Sequence, residues 1–176
     1  MTGPDGITVV QNVGHAIHRG AEAAVQVDPI LLYDDRVGSD YATRWGSVTL
    51  YANAMFLHAR FVSGDVDGKT PQYAPDFLVR AGGIYHWGDR VKVALLGTYV
   101  DNEYGNDNNS RTPENNYFIP AYSVCDLTLQ ARVYRSVSVM AGINNLFDDG
   151  YYARIRSEGI DPAYRRNYYG GVSVAF

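Results

Sequence analysis

The sequence predicts an all-β protein, an antiparallel meander of about seven strands that forms part of a transmembrane β-barrel and is not closed by itself. Segments along the chain alternate apolar and polar residues with a period of two, which is the pattern of strands with one wet face. Short turns alternate with long polar connections, as in barrels that cross a membrane. The mean hydropathy of −0.23 and the lack of any apolar run of ~18 residues exclude helical membrane spans.

The first four predicted strands cover 15–27, 47–62, 77–86 and 90–100. Residues 15–27 alternate well, with the apolar set ending in Val25 and Val27. Residues 47–62 and 77–86 are more uniformly apolar. In 90–100 the contrast between the two faces is weak. The predicted outward set of this strand is Val91, Val93, Leu95, Gly97 and Tyr99.

The next two predicted strands cover 123–134 and 137–147, and the first has the sharpest contrast. Its outward residues are apolar, whereas its inward residues are polar or charged, so the inward side should line water. Cys125, the only cysteine, lies in the outward set and excludes an internal disulfide. The inward residues are Asp126, Thr128, Gln130 and Arg132.

The last predicted strand covers 166–176 and ends the sequence on an aromatic residue. One face carries Tyr168, Gly170, Val172, Val174 and Phe176, and the other face is small or polar. Termini of soluble proteins usually end in polar residues, so this pattern favours a strand in a membrane.

The connections predict which end of the sheet faces outside. If the last residue is periplasmic, residues 87–89 and 135–136 form tight periplasmic turns, and 63–76, 101–122 and 153–165 form long external loops. Residues 28–46 are long although they fall at a periplasmic position, and we expect a short ordered excursion there.

Several motifs resemble those of TonB-dependent outer-membrane receptors, in particular the ferric-citrate type. The segment Gly142–Asp148 with Tyr151 and Tyr152, followed by a strand ending in Phe, is similar to the closing signature of these receptors. Three further motifs occur in the family's order. They are Asn12, Gly14, Arg19, Gly20 and Glu22 in the first strand, Tyr73, Ala74 and Pro75 before the third, and Gly159, Ile160, Pro162 and Arg166 before the last.

The resemblance implies an architecture and a set of partners. Residues 1–176 would be the C-terminal segment of a receptor barrel, without the plug domain, because the family's barrel has about 22 strands. The start, Met1–Ile7, has no signal-peptide pattern, so we expect a fragment of a bacterial outer-membrane protein. The implied partners are a ferric chelate as transported ligand, outer-membrane lipid, TonB through the missing N-terminal part only, and the barrel-assembly machinery, which would recognise Gly171, Val174 and Phe176. No cofactor is expected.

Cationic and aromatic residues cluster in the predicted external loops. Guanidinium groups bind carboxylates with two hydrogen bonds, so such a rim would attract an anionic chelate such as ferric citrate or a carboxylate siderophore. The competing interpretation is that these residues bind lipopolysaccharide phosphates or are only solvated. The candidate ligand-binding residues are Arg111, Arg154, Arg156, Arg165, Arg166 and Tyr152.

Other functions are less well supported by the sequence. His15 and His18 would point to opposite faces of a strand, and the loop Asp101–Ser110 lacks the glycine and glutamate of a calcium-binding EF-hand loop, so no metal site is predicted. No nucleophile with a nearby base occurs, so the protein is predicted not to be an enzyme. A net charge of −4 disfavours a nucleic-acid partner.

Two other architectures remain as alternatives. A small stand-alone outer-membrane barrel with a structural or adhesive role would need an eighth strand and a signal peptide. A soluble β-sandwich that binds carbohydrate would explain the alternation, but not the terminal Phe or the regular order of short and long connections.

Overall fold

The computed structural model describes residues 14–175. These form a sheet of long strands, two short helices on one connection, and short strand pairs on two other connections. The elements are β1 (Ala16–Val27), α1 (Pro29–Val37), α2 (Tyr41–Trp45), β2 (Ser47–Phe61), β3 (Phe77–Trp87), β4 (Val91–Val100), β5 (Glu103–Tyr104), β6 (Arg111–Thr112), β7 (Asn115–Asn116), β8 (Phe118–Ile119), β9 (Tyr122–Tyr134), β10 (Val137–Asn144), β11 (Tyr152–Arg156), β12 (Gly159–Pro162) and β13 (Asn167–Val174).

The main sheet confirms the predicted meander. Its seven strands lie in the order β1-β2-β3-β4-β9-β10-β13, and every neighbouring pair is antiparallel. Among the described residues β1 and β13 are the two edges and do not pair with each other, so the sheet is not closed. Sequence neighbours pair in space throughout, because each connection only has to return to the next strand.

The register divides the sheet into an apolar face and a polar face. Directly paired residues share a face, so one row runs from Val25 through Ala52, Ala81, Gly97 and Cys125. This is the predicted outward face, and its larger side chains are exposed: Val25 is 63% exposed and Val172 is 70% exposed. Apolar exposure on this scale needs a non-aqueous neighbour.

Aromatic side chains border the apolar face at both ends. Phe77 and Tyr99 have ring centroids 6.2 Å apart near the end that bears the long loops, with Phe56 paired to Phe77. Trp87 lies near the end that bears the tight turns. The 11 residues of β3, from Phe77 to Trp87, span about 33 Å along the strand, which is about 25 Å along a barrel axis for a strand tilted by ~40°. That matches the thickness of a lipid-facing band.

The polar face carries cross-strand hydrogen bonds. The Asn53 side-chain amide donates to Glu22 over 2.8 Å, and the hydroxyls of Thr128 and Tyr169 lie 2.8 Å apart. Arg132 forms an ion pair with Asp89 near the tight turns. The face predicted to line water is therefore organised by polar contacts.

The long connection between β1 and β2 is an ordered excursion, as expected. Asp28 caps α1 by accepting from the amides of Ile30 and Leu31, and Gly38 ends the helix with a left-handed φ of 71°. The Asp34 carboxylate accepts from Ser39 and from the amide of Ala42, and these bonds lower its pKa. Helical packing of this kind leaves no trace in a two-residue period, so the sequence pattern predicted order but not helices.

Two strand boundaries differ from the predicted ones by more than one residue. The strand expected over 137–147 ends at Asn144, because Asn145 has a φ of 54° and turns the chain. The last strand ends at Val174, and Phe176 lies outside the described residues. No helix in residues 14–175 is long and apolar enough to cross a membrane.

Candidate functional site

The three long connections at one end of the sheet pack against each other. We call residues 62–76, 101–121 and 145–166 the loop cluster. Each contains secondary structure or tight turns: the second carries the pairs β5–β8 and β6–β7, and the third carries the hairpin β11–β12. The predicted solvated loops are therefore an ordered unit, a feature that their Asn, Gly and Pro content did not reveal.

Hydrogen bonds fix the first loop to the second. Asn109, at a left-handed φ of 50°, accepts from the Thr70 amide over 2.8 Å and donates to the Thr70 carbonyl over 2.7 Å. The Asp107 carboxylate accepts from the Gln72 amide over 2.9 Å. Asp107 and Asn109 thus serve as structural groups of the loop cluster.

Apolar contacts and one tyrosine fix the third loop to the other two. Ile119 is fully buried and Ile155 is 5% exposed. The Tyr73 hydroxyl donates to the Ile155 carbonyl over 3.0 Å, and the Tyr73 amide donates to the Tyr104 carbonyl over 2.8 Å. Tyr73, seen in the sequence only as part of a motif, is the residue that joins all three loops.

Asn145 anchors the start of the third loop. It is 2% exposed, and its side chain bonds to the Asp149 amide and carbonyl at 2.9 and 2.8 Å. The backbone amide of Asn145 donates to the Asp126 carboxylate over 2.8 Å. Since buried polar groups need such partners, the Asn145 position is tightly specified.

Three of the predicted ligand-binding arginines are held by internal contacts. Arg165 makes two hydrogen bonds to the Asp148 carboxylate, at 3.1 and 3.0 Å. Arg156 forms an ion pair of 2.9 Å with Asp161. Arg111 lies over the ring of Phe118 at 3.7 Å from the centroid.

The pairing of Arg165 orders the last loop. The Arg166 amide also donates to Asp148, over 2.9 Å. Two hydrogen bonds lower the pKa of Asp148. The one from the Arg166 backbone amide has the larger effect, and the one from the Arg165 side chain has the smaller effect. The carboxylate therefore acts as a clamp between the start and the end of this loop.

Arg154 and Arg166 differ from the other three. Within residues 14–175, neither side chain forms an ion pair or lies over an aromatic ring. Arg154 is exposed on β11, on the same side as Arg156 and opposite to the buried Ile155. Tyr152, the remaining candidate, is 41% exposed. The structure leaves Arg154, Arg166 and Tyr152 able to contact a ligand.

A recess lies beneath the loop cluster on the polar face. Its cavity of about 340 Å³ is lined by groups that include Asp126, Asn144, Tyr151, Tyr164 and Asn167. The rings of Tyr151 and Tyr122 stack with centroids 4.2 Å apart. Burial raises the pKa of Tyr151, and the nearby charge of Asp126 adds to this.

The sequence did not single out two charged residues near this recess. Arg80 lies on the polar face, paired with Asn53 and Thr98, and both Arg80 and Glu103 interact electrostatically with the Tyr122 hydroxyl. Burial raises the pKa of Glu103. The inward position of Arg80 in a strand otherwise rich in apolar residues was a signal that could have identified it.

The predicted assembly residues lie at the sheet edge. Gly171 and Val174 belong to β13, which pairs only with β10 among the described strands. Phe176, which the resemblance implies as the main recognition residue, lies outside the described residues.

Comparison with known proteins adds a family and a fold. The family model described as "TonB dependent receptor-like, beta-barrel" matches residues 1–146. The unliganded ferric citrate transporter FecA is similar with a TM-score of 0.73 at 18% identity, over 90% of this chain and 24% of FecA. No curated protein sequence matches significantly.

Two further solved structures widen the comparison. The siderophore receptor PiuA from Acinetobacter baumannii has a TM-score of 0.70 at 18% identity, over 93% of this chain and 22% of PiuA. The copper transporter OprC has a TM-score of 0.65 at 18% identity, over 92% of this chain and 24% of OprC. Identities this low show the fold alone. The chain spans about a quarter of the length of these structures.

Proposed function

Because the chain belongs to the TonB-dependent receptor-like β-barrel family, we propose that it supplies part of the barrel wall and external loops of a bacterial outer-membrane receptor. The receptor takes up an anionic ferric chelate, such as ferric citrate or a siderophore. The family match over residues 1–146 carries the receptor part of this proposal. FecA is a ferric citrate transporter and PiuA a siderophore receptor, whereas OprC is a copper transporter, so the ligand class rests on the loop residues.

The loop residues favour an anionic ligand. Arg154 and Arg166 are exposed cations without an ion pair among the described residues, and both belong to one ordered loop. An ordered loop reduces the entropy lost when a ligand binds, and guanidinium groups pair with carboxylates through two hydrogen bonds. The recess lined by Tyr151 and Asp126 lies beneath this loop and provides space on the path into the barrel.

In this proposal the chain itself performs no chemistry. Its relatives are transporters and receptors, and TonB would act through a plug domain that precedes the barrel. The stand-alone barrel is disfavoured, because the sheet formed by residues 14–175 has two unpaired edges, and such edges expose backbone groups that lipid cannot satisfy.

Uptake by cells that express the intact receptor tests the proposal. We expect them to accumulate radiolabelled ferric citrate or a carboxylate siderophore only when TonB is functional, and a cationic chelate much less. Equal uptake without TonB would contradict the receptor assignment. TonB-dependent uptake of a copper complex in place of ferric chelates would contradict only the ligand class.

A further inference from the structure

Three nitrogen-rich side chains lie together on the apolar face, where charge is unexpected. Arg19 on β1 pairs directly with His58 on β2, and Arg60 lies two residues further along β2, opposite Ile17. By the register all three belong to the same face as Phe56, Ala54 and Leu50. Arg19, His58 and Arg60 are all exposed. We call these three residues the outer basic patch.

The outer basic patch lies just beyond the aromatic border of the apolar band. At about 3.3 Å per residue along the strand and a tilt of ~40°, His58 and Arg19 are about 5 Å past the level of Phe56 along the barrel axis, and Arg60 is about 10 Å past it. Aromatic borders mark the boundary between hydrocarbon and headgroups. The patch is therefore at headgroup depth, on the side of the barrel wall that faces lipid.

No acidic group neutralises the patch within residues 14–175. The outward positions of β1 and β2 contain no Asp or Glu, and the ion pairs of the described chain involve other arginines. Asp65 and Asp67, in the turn that follows β2, form no ion pair with Arg60. Arg19 and Arg60 are diagonal neighbours on adjacent strands, and an anion between them would offset the repulsion of their charges.

We infer that the outer basic patch binds the phosphate groups of an outer-leaflet glycolipid such as lipid A. The inference rests on the proposed outer-membrane location. Two guanidinium groups and an imidazole offer donors to a phosphate, and the adjoining Phe56, Phe77 and Ala21 offer apolar surface to acyl chains. A phosphorylated lipid contacts both the cations and the apolar side chains of this surface, whereas a soluble anion contacts only the cations.

The test is lipid selectivity of the intact receptor, purified and placed in nanodiscs. Native mass spectrometry would compare retained lipid A that carries two phosphates with the dephosphorylated form. We expect about a tenfold preference for the phosphorylated lipid, falling to near equality in the Arg19→Gln/Arg60→Gln variant. The matched control is Lys92→Gln, a cation on the polar face, which should keep the parent's preference.

Each outcome bears on the inference. Lack of a phosphate preference in the parent, or the same preference in the double variant, would overturn it. Displacement of the lipid by millimolar inorganic phosphate would indicate a site for a free ion and would also overturn it. Retained gel mobility of the folded barrel excludes misfolding as the reason for a loss. Chelate binding is measured on the same samples, so failure of the proposed function and failure of the lipid site give different results.

Discussion

Acidic neighbours in the loop cluster separate the candidate arginines into two groups. Asp148 holds Arg165 and Asp161 holds Arg156, so these two guanidinium groups already have carboxylate partners. Arg154 and Arg166 form no ion pair among the described residues, although Arg154 is the cross-strand neighbour of Asp161 and the charge of Arg166 helps to lower the pKa of Asp148. A ligand carboxylate therefore has to displace an existing ion pair at Arg156 and Arg165, but not at Arg154 and Arg166.

Replacing Arg154 and Arg166 with Ala in the intact receptor should weaken binding of an anionic ferric chelate. A charge-assisted contact contributes on the order of 1.5–3 kcal/mol when shielded from water, and about 0–1 kcal/mol when exposed. Calorimetry at low and physiological salt measures the loss, which should be larger at low salt. Arg135→Ala, in the tight turn at the other end, is the control and should bind like the parent. Unchanged affinity of the double variant at low salt would show that the two arginines are only solvated.

Protonation of Asp148 should release the last loop. The carboxyl has a lowered pKa in the fold, so its stabilising effect is present above the ordinary value of 3.8 and is lost as the pH falls through the lowered value. Hydrogen exchange of the Arg166 amide, which donates to Asp148, reports this step. We expect its protection factor to be high near about pH 6 and to fall below about pH 4. In the Asp148→Asn variant, the protection factor of the Arg166 amide should be low at both pH values. Protection that does not depend on Asp148 would contradict the clamp.

At the residue scale, the sequence predicted which residue types lie at the rim but not how they pair. Asp148 and Arg165 are 17 residues apart, and their contact exists only because Asn145 turns the chain and buries its amide. A two-residue period contains no information on such turns. Arg80 was missed for a different reason, because its strand lacks the strong alternation that distinguishes β9.

At the element scale, the long strands were predictable because each has one face toward a different medium. The seven segments agree with the observed strands, and the sets of residues predicted for the two faces of β9 and of the weakly alternating β4 agree with the observed register. Loop elements were not predictable, since β5–β8 and β11–β12 are stabilised by contacts between distant loops around Ile119 and Ile155. The helices of residues 28–46 depend on local caps such as Asp28.

One glycine keeps β9, β10 and β13 in close contact. A methyl group on Gly142 would collide with the ring of Tyr169, whose hydroxyl bonds to Thr128. Gly142→Ala should therefore displace this ring and destabilise the barrel by about 1–3 kcal/mol. Unfolding of the receptor by denaturant in detergent measures the change. Gly97→Ala is the control, because its added methyl group would have its nearest neighbour at 3.6 Å. Equal stability of the two variants would mean that the Tyr169 ring can move without cost.

The terminal strand should matter for assembly. The resemblance implies that Phe176, with Gly171 and Val174, is recognised by the barrel-assembly machinery. Deleting Phe176 from the intact receptor should lower the amount inserted in the outer membrane, measured by surface labelling, while the amount synthesised stays constant. Tyr152→Phe, in the loop cluster, should not change insertion. Normal surface levels without Phe176 would place the recognition signal elsewhere.

At the scale of the whole molecule, the open sheet defines what this chain can do. In the described part of the chain this sheet has two edges and an apolar face bordered by aromatic residues, so it is suited to be a section of a wall between lipid and water. It covers about a quarter of the structures that it resembles. The proposed ligand capture through Arg154 and Arg166 and the proposed lipid binding through Arg19 and Arg60 both depend on that wall having its apolar face outward.

The most direct test is therefore the environment of consecutive residues along β9 in the intact receptor. Spin labels are placed one at a time at positions 127 to 130, in a background where Cys125 is replaced by Ala, and accessibility to oxygen and to a water-soluble nickel complex is measured in bilayers. Labels at Leu127 and Leu129 should be accessible to oxygen, and labels at Thr128 and Gln130 to nickel. Uniform accessibility, or the reversed alternation, would contradict a barrel wall with this orientation.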